Sequence, residues 1–128
     1  MSASPGRPRI LIAEDDDASR TVIVAALAGR YNVATAHDGR EALRQATLDP
    51  PQLLITDMMM PRMDGMMLLD ALRHEPSTAA VPVIVLTAKS GSEDYQAGLD
   101  AGVANYLAKP LTTAHLLEAV EAALHGTA

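Results

Sequence analysis

Cysteine, phenylalanine and tryptophan are all missing from this chain of 128 residues, and three tyrosines are its only aromatic side chains. Without cysteine there can be neither disulfides nor thiolate metal sites, although the lack says little about compartment. Without Phe or Trp, the core has to be built from Leu, Ile, Val, Ala and Met. No apolar run approaches the roughly 20 residues that span a bilayer. The first nine residues also lack the long apolar stretch of a secretory signal, so a cytoplasmic location away from membranes is expected. Basic residues are in deficit: 10 Lys and Arg against 16 Asp and Glu give a net charge of -6. A phosphate backbone rewards the opposite sign, so direct nucleic-acid binding is not expected. What remains is 48% hydrophobic and 20% charged, a globular composition. The length suffices for one core and is too short for two.

Residues 1–8, rich in Ser, Pro, Gly and Arg, read as a loose leader; 9–125 reads as the domain and 126–128 as a tail. Within the domain two kinds of segment alternate. Short apolar, β-branched-rich runs at Arg9–Ala13, Asn32–Ala36, 53–56, Val83–Thr87 and 104–108 predict strands, mostly buried on both faces because the runs are nearly continuous. Between them the spacing is helical. Val22, Ile23, Ala26 and Leu27 form one stripe; Leu116, Leu117, Val120 and Leu124 form another. Asp38 with Glu41, and Ser90 with Glu93, resemble capping boxes, and Thr112 or Thr113 is placed to cap the last helix. Gly29 and Gly102 fall where helices should end. Five strand–helix units imply a doubly wound α/β fold: a five-stranded parallel sheet, helices on both faces and right-handed crossovers.

Ligands of such sheets bind at the carboxyl ends of the strands, so any chemistry should cluster there. The first strand runs into Glu14, Asp15, Asp16 and Asp17, the third into Asp57, the fourth ends at Thr87, and the fifth runs into Lys109 and Pro110. The second, followed by His37 and Asp38, reads as a simple helix cap. Carboxylates converging on one rim repel by about 1 kcal/mol per pair in water at 4 Å, and by more in a cleft. A cation relieves that repulsion, and hard oxygens with room left for water or phosphate suit Mg²⁺ or Mn²⁺. Lys109 supplies a compact positive charge and Thr87 a hydroxyl. A carboxylate nucleophile, a divalent ion, a cation and a hydroxyl are the parts of phosphoryl transfer. Each group alone has an ordinary reading: a solvated helix start, a turn aspartate, a strand-end threonine, a surface lysine. Together, at the ends of four strands, those readings lose force.

Other chemistry fits less well. Asp15 to Ala26 has the length of a calcium loop but carries Arg20 where Gly is needed and Ala26 where Glu is needed. There is no Gly-rich phosphate loop, Gly-x-Ser-x-Gly elbow or His-Glu-x-x-His motif. Six of the seven methionines lie from Met58 to Met67, an invitation to a soft metal such as copper(I). Loop anchoring and adaptable core filling account for such a stretch better.

Four motifs in order resemble one family. Ile-Leu-Ile-Ala-Glu-Asp from Ile10 to Asp15 resembles the first strand and acidic pair of the response-regulator receiver domains of two-component signalling. Thr-Asp-Met-Met-Met-Pro-Arg-Met-Asp-Gly from Thr56 to Gly65 is similar to their phosphoacceptor loop. Val-Ile-Val-Leu-Thr-Ala from Val83 to Ala88 is similar to their fourth strand, and Ala-Asn-Tyr-Leu-Ala-Lys-Pro from Ala104 to Pro110 to their fifth. The resemblance runs from about Arg9 to Leu124. It implies the flavodoxin-like strand order 2-1-3-4-5, with Asp57 as phosphoacceptor. Glu14, Asp15, Asp57 and the backbone carbonyl of Met59 would hold Mg²⁺. Thr87 would bond the phosphoryl group and Lys109 pair with it. Tyr106 would be an aromatic switch that turns inward as Thr87 moves, and Lys109–Pro110 a cis peptide. Pro61 and Gly65 would shape the loop.

The implied partners are a sensor histidine kinase or phosphotransfer protein, with contacts on the first helix and nearby loops, and a downstream protein or output domain. The signalling face would be the fourth helix, fifth strand and fifth helix, which also offers a surface for dimerisation. The chain is expected to be a phosphoacceptor rather than an enzyme, with slow autodephosphorylation. Met59 cannot orient an attacking water as a polar side chain would, so Met59→Asn should speed the loss of phosphate. Lys89, two residues past Thr87, would approach the phosphoryl group. Two alternatives remain. One is a phosphorylation-independent interaction domain, which retention of all five site residues argues against. The other is an aspartate-nucleophile phosphohydrolase, which would need a second acid where Met59 stands.

Overall fold

A computed structural model describes residues 6–87, 103–109 and 111–125. Five strands form one parallel sheet: β1 (Arg9–Ala13), β2 (Asn32–Ala36), β3 (Leu53–Asp57), β4 (Val83–Thr87) and β5 (Asn105–Ala108). Their order is β2-β1-β3-β4-β5, the order the resemblance implied. Strand order reverses between β1 and β3, so the carboxyl ends of these two strands flank a crevice. Four helices are described: α1 (Asp17–Leu27), α2 (Gly39–Leu48), α3 (Gly65–His74) and α4 (Thr113–His125). The last of these is the fifth helix of the sequence reading. The helix expected between β4 and β5, including Lys89, the Ser90–Glu93 capping box and Gly102, lies outside the described residues.

Alternation along each strand divides the core into two. Leu11, Ala13, Leu54, Val83 and Val85 point to the side where Ala42, Ala46, Leu68, Leu69 and Leu72 pack. Ile10, Ile12, Leu53, Ile55, Ile84 and Leu86 point to the other, against Ile23, Leu27, Leu116, Ala119 and Val120. Helices α2 and α3 therefore cover one face and α1 and α4 the other. This is the arrangement a sheet apolar on both sides requires. β1, β3 and β4 are buried almost throughout, but β2 and β5 are only half-buried or exposed along most of their length. The expectation of strands buried on both faces thus holds for the three central ones. Edge strands have a neighbour on one side only, and their apolar side chains need less cover.

One apolar stripe is turned from its expected position. Ile23 and Leu27 of α1 are buried, whereas Val22 is 62% exposed. Residues 22 and 23 lie about 100° apart around a helix, so a helix seated on Ile23 and Leu27 can carry Val22 outside the contact. The C-terminal stripe is seated as expected, with Leu116 and Val120 buried and Leu117 and Leu124 packed at the margin.

Caps set where the helices begin. Asp38 accepts from the Glu41 backbone N–H at 2.8 Å, and the Glu41 carboxylate reaches back to the His37 N–H at 2.6 Å. Asp16 caps α1 through the Ser19 N–H at 2.8 Å, Asp64 caps α3 through Met67 at 2.9 Å, and Thr112 caps α4 through His115 at 3.1 Å. After α1 the chain turns through Arg30 and Tyr31 N–H bonds to the Leu27 carbonyl, both 3.0 Å. At the start of the chain, the Pro8 carbonyl accepts from the Asn32 N–H at 2.9 Å, tying that end to β2.

Candidate functional site

The carboxyl ends of β1, β3, β4 and β5 bring the expected polar groups to one rim. Glu14, directly after β1, is fully buried, and Asp57, the last residue of β3, is 8% exposed. Asp15 lies between Glu14 and the α1 cap and faces solvent. One carboxylate oxygen from each of Glu14, Asp15 and Asp57 falls within 4.8 Å of the others. Three converging hard oxygens with an open side are the donor set that Mg²⁺ takes, since it keeps several waters and binds few carboxylates. The residues fit that ion.

Lys109 closes the rim from β5. Its Nζ donates to Glu14 Oε1 at 2.9 Å and to Asp57 Oδ2 at 3.0 Å. Its backbone N–H donates to the Thr87 carbonyl at 2.7 Å, which fixes the end of β5 beside the end of β4. The second Glu14 oxygen accepts from the Asp16 N–H at 3.1 Å. Burial pushes the Glu14 carboxyl up from its usual value, and the neighbouring Asp57 adds to the push; the bonds from Lys109 and Asp16 offset only part of it. For Lys109, burial works against the charge, but the hydrogen bonds to Glu14 and Asp57 prevail and hold its pKa above the ordinary lysine value. One cation thus compensates two buried acids, and Asp15 stands beside them in water.

Thr87 ends β4 at 3% exposure and sits in register with Ala108, one residue before Lys109. Tyr106 lies in β5 opposite Val85. It packs against the core on the α2 and α3 side, with its hydroxyl oxygen withdrawn from solvent, so this tyrosine points inward. Pro110 lies outside the described residues, and with it the expected cis peptide. Met59, two residues past β3, exposes 74% of its surface.

The loop from β3 to α3 is drawn tight over the strand end. The Met58 N–H donates to the Leu86 carbonyl at 2.7 Å, and its carbonyl accepts from the Gly65 N–H at 2.9 Å. A Cβ on Gly65 would fall 2.5 Å from the Asp57 carbonyl oxygen, so only glycine permits this closure. Met58, Met60, Met63 and Met66 pack against the core beneath the loop, the anchoring role read from their crowding. Asp16, the third acid of the run, is absent from the cluster; it caps α1 instead.

Three contributors escaped the sequence reading. Arg20 donates to the Glu14 carbonyl at 2.8 Å and pairs with Asp17, holding the chain where β1 leads into α1. Arg62 adopts a left-handed backbone, φ 68°, and pairs with Asp38 at 3.2 Å. Gly39 opens α2 where a Cβ would lie 2.2 Å from the Met63 carbonyl oxygen. Arg20 follows Asp17 by three, a spacing that places the two side chains on one helical turn and offered a signal; the other two depend on contacts between distant segments.

The family model described as the response regulator receiver domain matches residues 10–121. Response regulator MprA of Mycobacterium ulcerans is 42% identical over 121 residues, covering 93% of this chain and 51% of that protein. The chain therefore spans about half the length of the curated relatives it matches. Among solved structures, the chemotaxis protein CheY4 of Vibrio cholerae superposes with a TM-score of 0.88 at 30% identity, covering 93% of this chain and all of that one. The receiver domain of the sensor histidine kinase PA1611 from Pseudomonas aeruginosa, which has a magnesium ion coordinated in its active-site cleft, gives 0.85 at 32% identity, covering 94% and 99%.

Proposed function

Because this chain belongs to the response regulator receiver domain family, we propose that Asp57 is its phosphoacceptor and that residues 9–125 make up the switching unit. The observation that carries the reading is the rim itself: Glu14, Asp15 and Asp57 within one ion's reach, with Lys109 bonded to two of them. Glu14, Asp15, Asp57 and the Met59 carbonyl would hold Mg²⁺, with Mn²⁺ as a substitute. When bound, the ion would neutralise the rim and favour the approach of a phosphoryl donor. An oxygen of the Asp57 carboxylate then bonds to phosphorus as the donor's own bond to it breaks. Lys109 is placed to leave its bond with Asp57 for a phosphoryl oxygen, and the buried Thr87 hydroxyl to bond another.

A phosphoryl group adds charge and three strong acceptor oxygens. To move the domain from 1:99 to 99:1 in favour of an active shape, these must interact better with that shape by about 5.5 kcal/mol. Thr87 and Tyr106 are the residues through which that preference would reach the β5 and α4 face, where a downstream partner, output domain or second copy would bind. The donor would be a sensor histidine kinase or phosphotransfer protein. A shallow apolar depression of about 520 Å³ supports its docking beside the rim: Ala18, Ser19, Val22 and Ile23 of α1 line it with Lys109 and Leu111. Exposed Met59 offers no group to orient water, which favours slow loss of the phosphoryl group and a signalling role over turnover. No described helix is long and apolar enough to cross a membrane, and we place the protein in the cytoplasm.

The test is incubation with acetyl phosphate and Mg²⁺, followed by intact-mass measurement. The native chain should gain one phosphoryl group, about 80 Da, and Asp57→Asn none. Equal labelling of both would reject Asp57.

A further inference from the structure

We propose that Met59 is a peroxide-sensitive modification site, and that its conversion to the sulfoxide shortens the life of a phosphoryl group on Asp57. The inference rests on the reading of Asp57 as phosphoacceptor. Its starting point is an uneven distribution of methionines. Six lie in the ten residues from Met58 to Met67. Four of these, Met58, Met60, Met63 and Met66, are partly buried against the core. The Met60 sulfur also accepts from the Thr56 hydroxyl at 3.9 Å. Met59 and Met67 instead stand 74% and 52% exposed. Anchoring and core filling explain the four and leave the other two unexplained. Exposed thioethers are also the ones an oxidant reaches first.

Position separates the two exposed residues. Two peptide units link Met59 to Asp57, so their Cα atoms lie no more than about 7.6 Å apart. Met67 follows the α3 cap and occupies the first turn of that helix. In the oxidation, a sulfur lone pair attacks one oxygen of hydrogen peroxide. The O–O bond breaks, the sulfur–oxygen bond forms, and water leaves; sulfur is oxidised by two electrons and the peroxide reduced. An apolar side chain thereby gains a strong acceptor at the edge of the rim. That oxygen can accept a hydrogen bond from a water approaching phosphorus, which the thioether does poorly. The water's oxygen bonds to phosphorus, the bond to the Asp57 carboxylate breaks, and inorganic phosphate departs. Sulfoxide reduction by a dithiol-driven reductase restores the starting side chain, so the effect is reversible.

The experiment treats the native chain with limiting hydrogen peroxide and locates the added oxygen by peptide mass mapping. Treated and untreated samples are then loaded from acetyl phosphate with Mg²⁺, freed of donor, and followed by intact mass. The added oxygen should appear on Met59 and Met67 before the four packed methionines. The half-life of the phosphoryl group should shorten about twofold to tenfold, the range that one net hydrogen bond to the attacking water supplies. Each variant serves as its own control through the treated-to-untreated ratio. That ratio should return to one in Met59→Leu, persist in Met67→Leu, and be reversed by methionine sulfoxide reductase. Oxidation of the packed residues ahead of Met59, an unchanged half-life with Met59 oxidised, or equal shortening in Met59→Leu would each overturn the proposal. Failure of the untreated chain to take a phosphoryl group defeats the phosphoacceptor reading, and this inference with it. That arm distinguishes the two failures.

Discussion

Lys109 does not have the surroundings of an ordinary surface lysine. Its ammonium is shared between a fully buried glutamate and a nearly buried aspartate, so its removal leaves two acids without a counter-charge. Lys109→Ala should lower stability by about 2–4 kcal/mol, toward the lower part of the range for a broken buried pair because the lysine keeps some contact with water. Urea unfolding with and without Mg²⁺ measures this. A divalent ion relieves the same repulsion, so magnesium should stabilise the variant by a larger increment than it does the native chain. Equal increments would mean that the ion and the lysine do not share the rim. The residues that this rim brings together were legible in the sequence, because strand-end polar groups need only correct strand boundaries to be found. That Lys109 bridges Glu14 and Asp57 was not legible, because the contact joins residues 95 and 52 positions apart.

The elements that frame the site are fixed by caps and by two close approaches. Asp38 starts α2, accepts from Glu41 and pairs with Arg62, and its carboxyl is held below the usual aspartate value, chiefly by the Glu41 N–H and further by Arg62. A folded-state value below the unfolded one adds stability that is complete above the unfolded value and is lost as pH falls through the folded one. Asp38→Asn keeps an acceptor at the cap and removes the titration. Its thermal midpoint should therefore decline less steeply than that of the native chain on acidification through and below the aspartate range; parallel curves would contradict this. Glycines at the ends of elements should separate sharply. Gly39→Ala forces a Cβ against the Met63 carbonyl and should cost about 1–3 kcal/mol. Gly29→Ala meets nothing within 4 Å and has no left-handed backbone, so it should be neutral or stabilising by up to about 1 kcal/mol. Urea midpoints of the two variants decide it. The starts of α2 and α4 were legible because a cap is a local pattern, whereas the caps by Asp16 and Asp64 went unread. The seat of α1 was not: adjacent apolar pairs such as Val22 and Ile23 define a stripe without saying which edge meets the sheet.

At the scale of the molecule, two apolar layers press α2 and α3 on one side and α1 and α4 on the other, and the sheet between them delivers four strand ends to a single rim. Alternation of short apolar runs with helical spacing suffices to imply this architecture. The order of the strands does not follow from periodicity, and it came from the resemblance of the motifs instead. The burial of edge strands was overestimated for a related reason, since a continuous apolar run does not record how many neighbours a strand has. The whole account depends on the rim holding a divalent ion where an acyl phosphate can form. The most direct measurement is a crystal structure grown with Mg²⁺ and beryllium fluoride as a phosphoryl mimic. The account predicts one ion held among Glu14, Asp15, Asp57 and the Met59 carbonyl, the mimic on Asp57, and Lys109 turned toward it. An ion bound elsewhere, or an Asp57 carboxylate still bonded to Lys109 with no mimic attached, would contradict it.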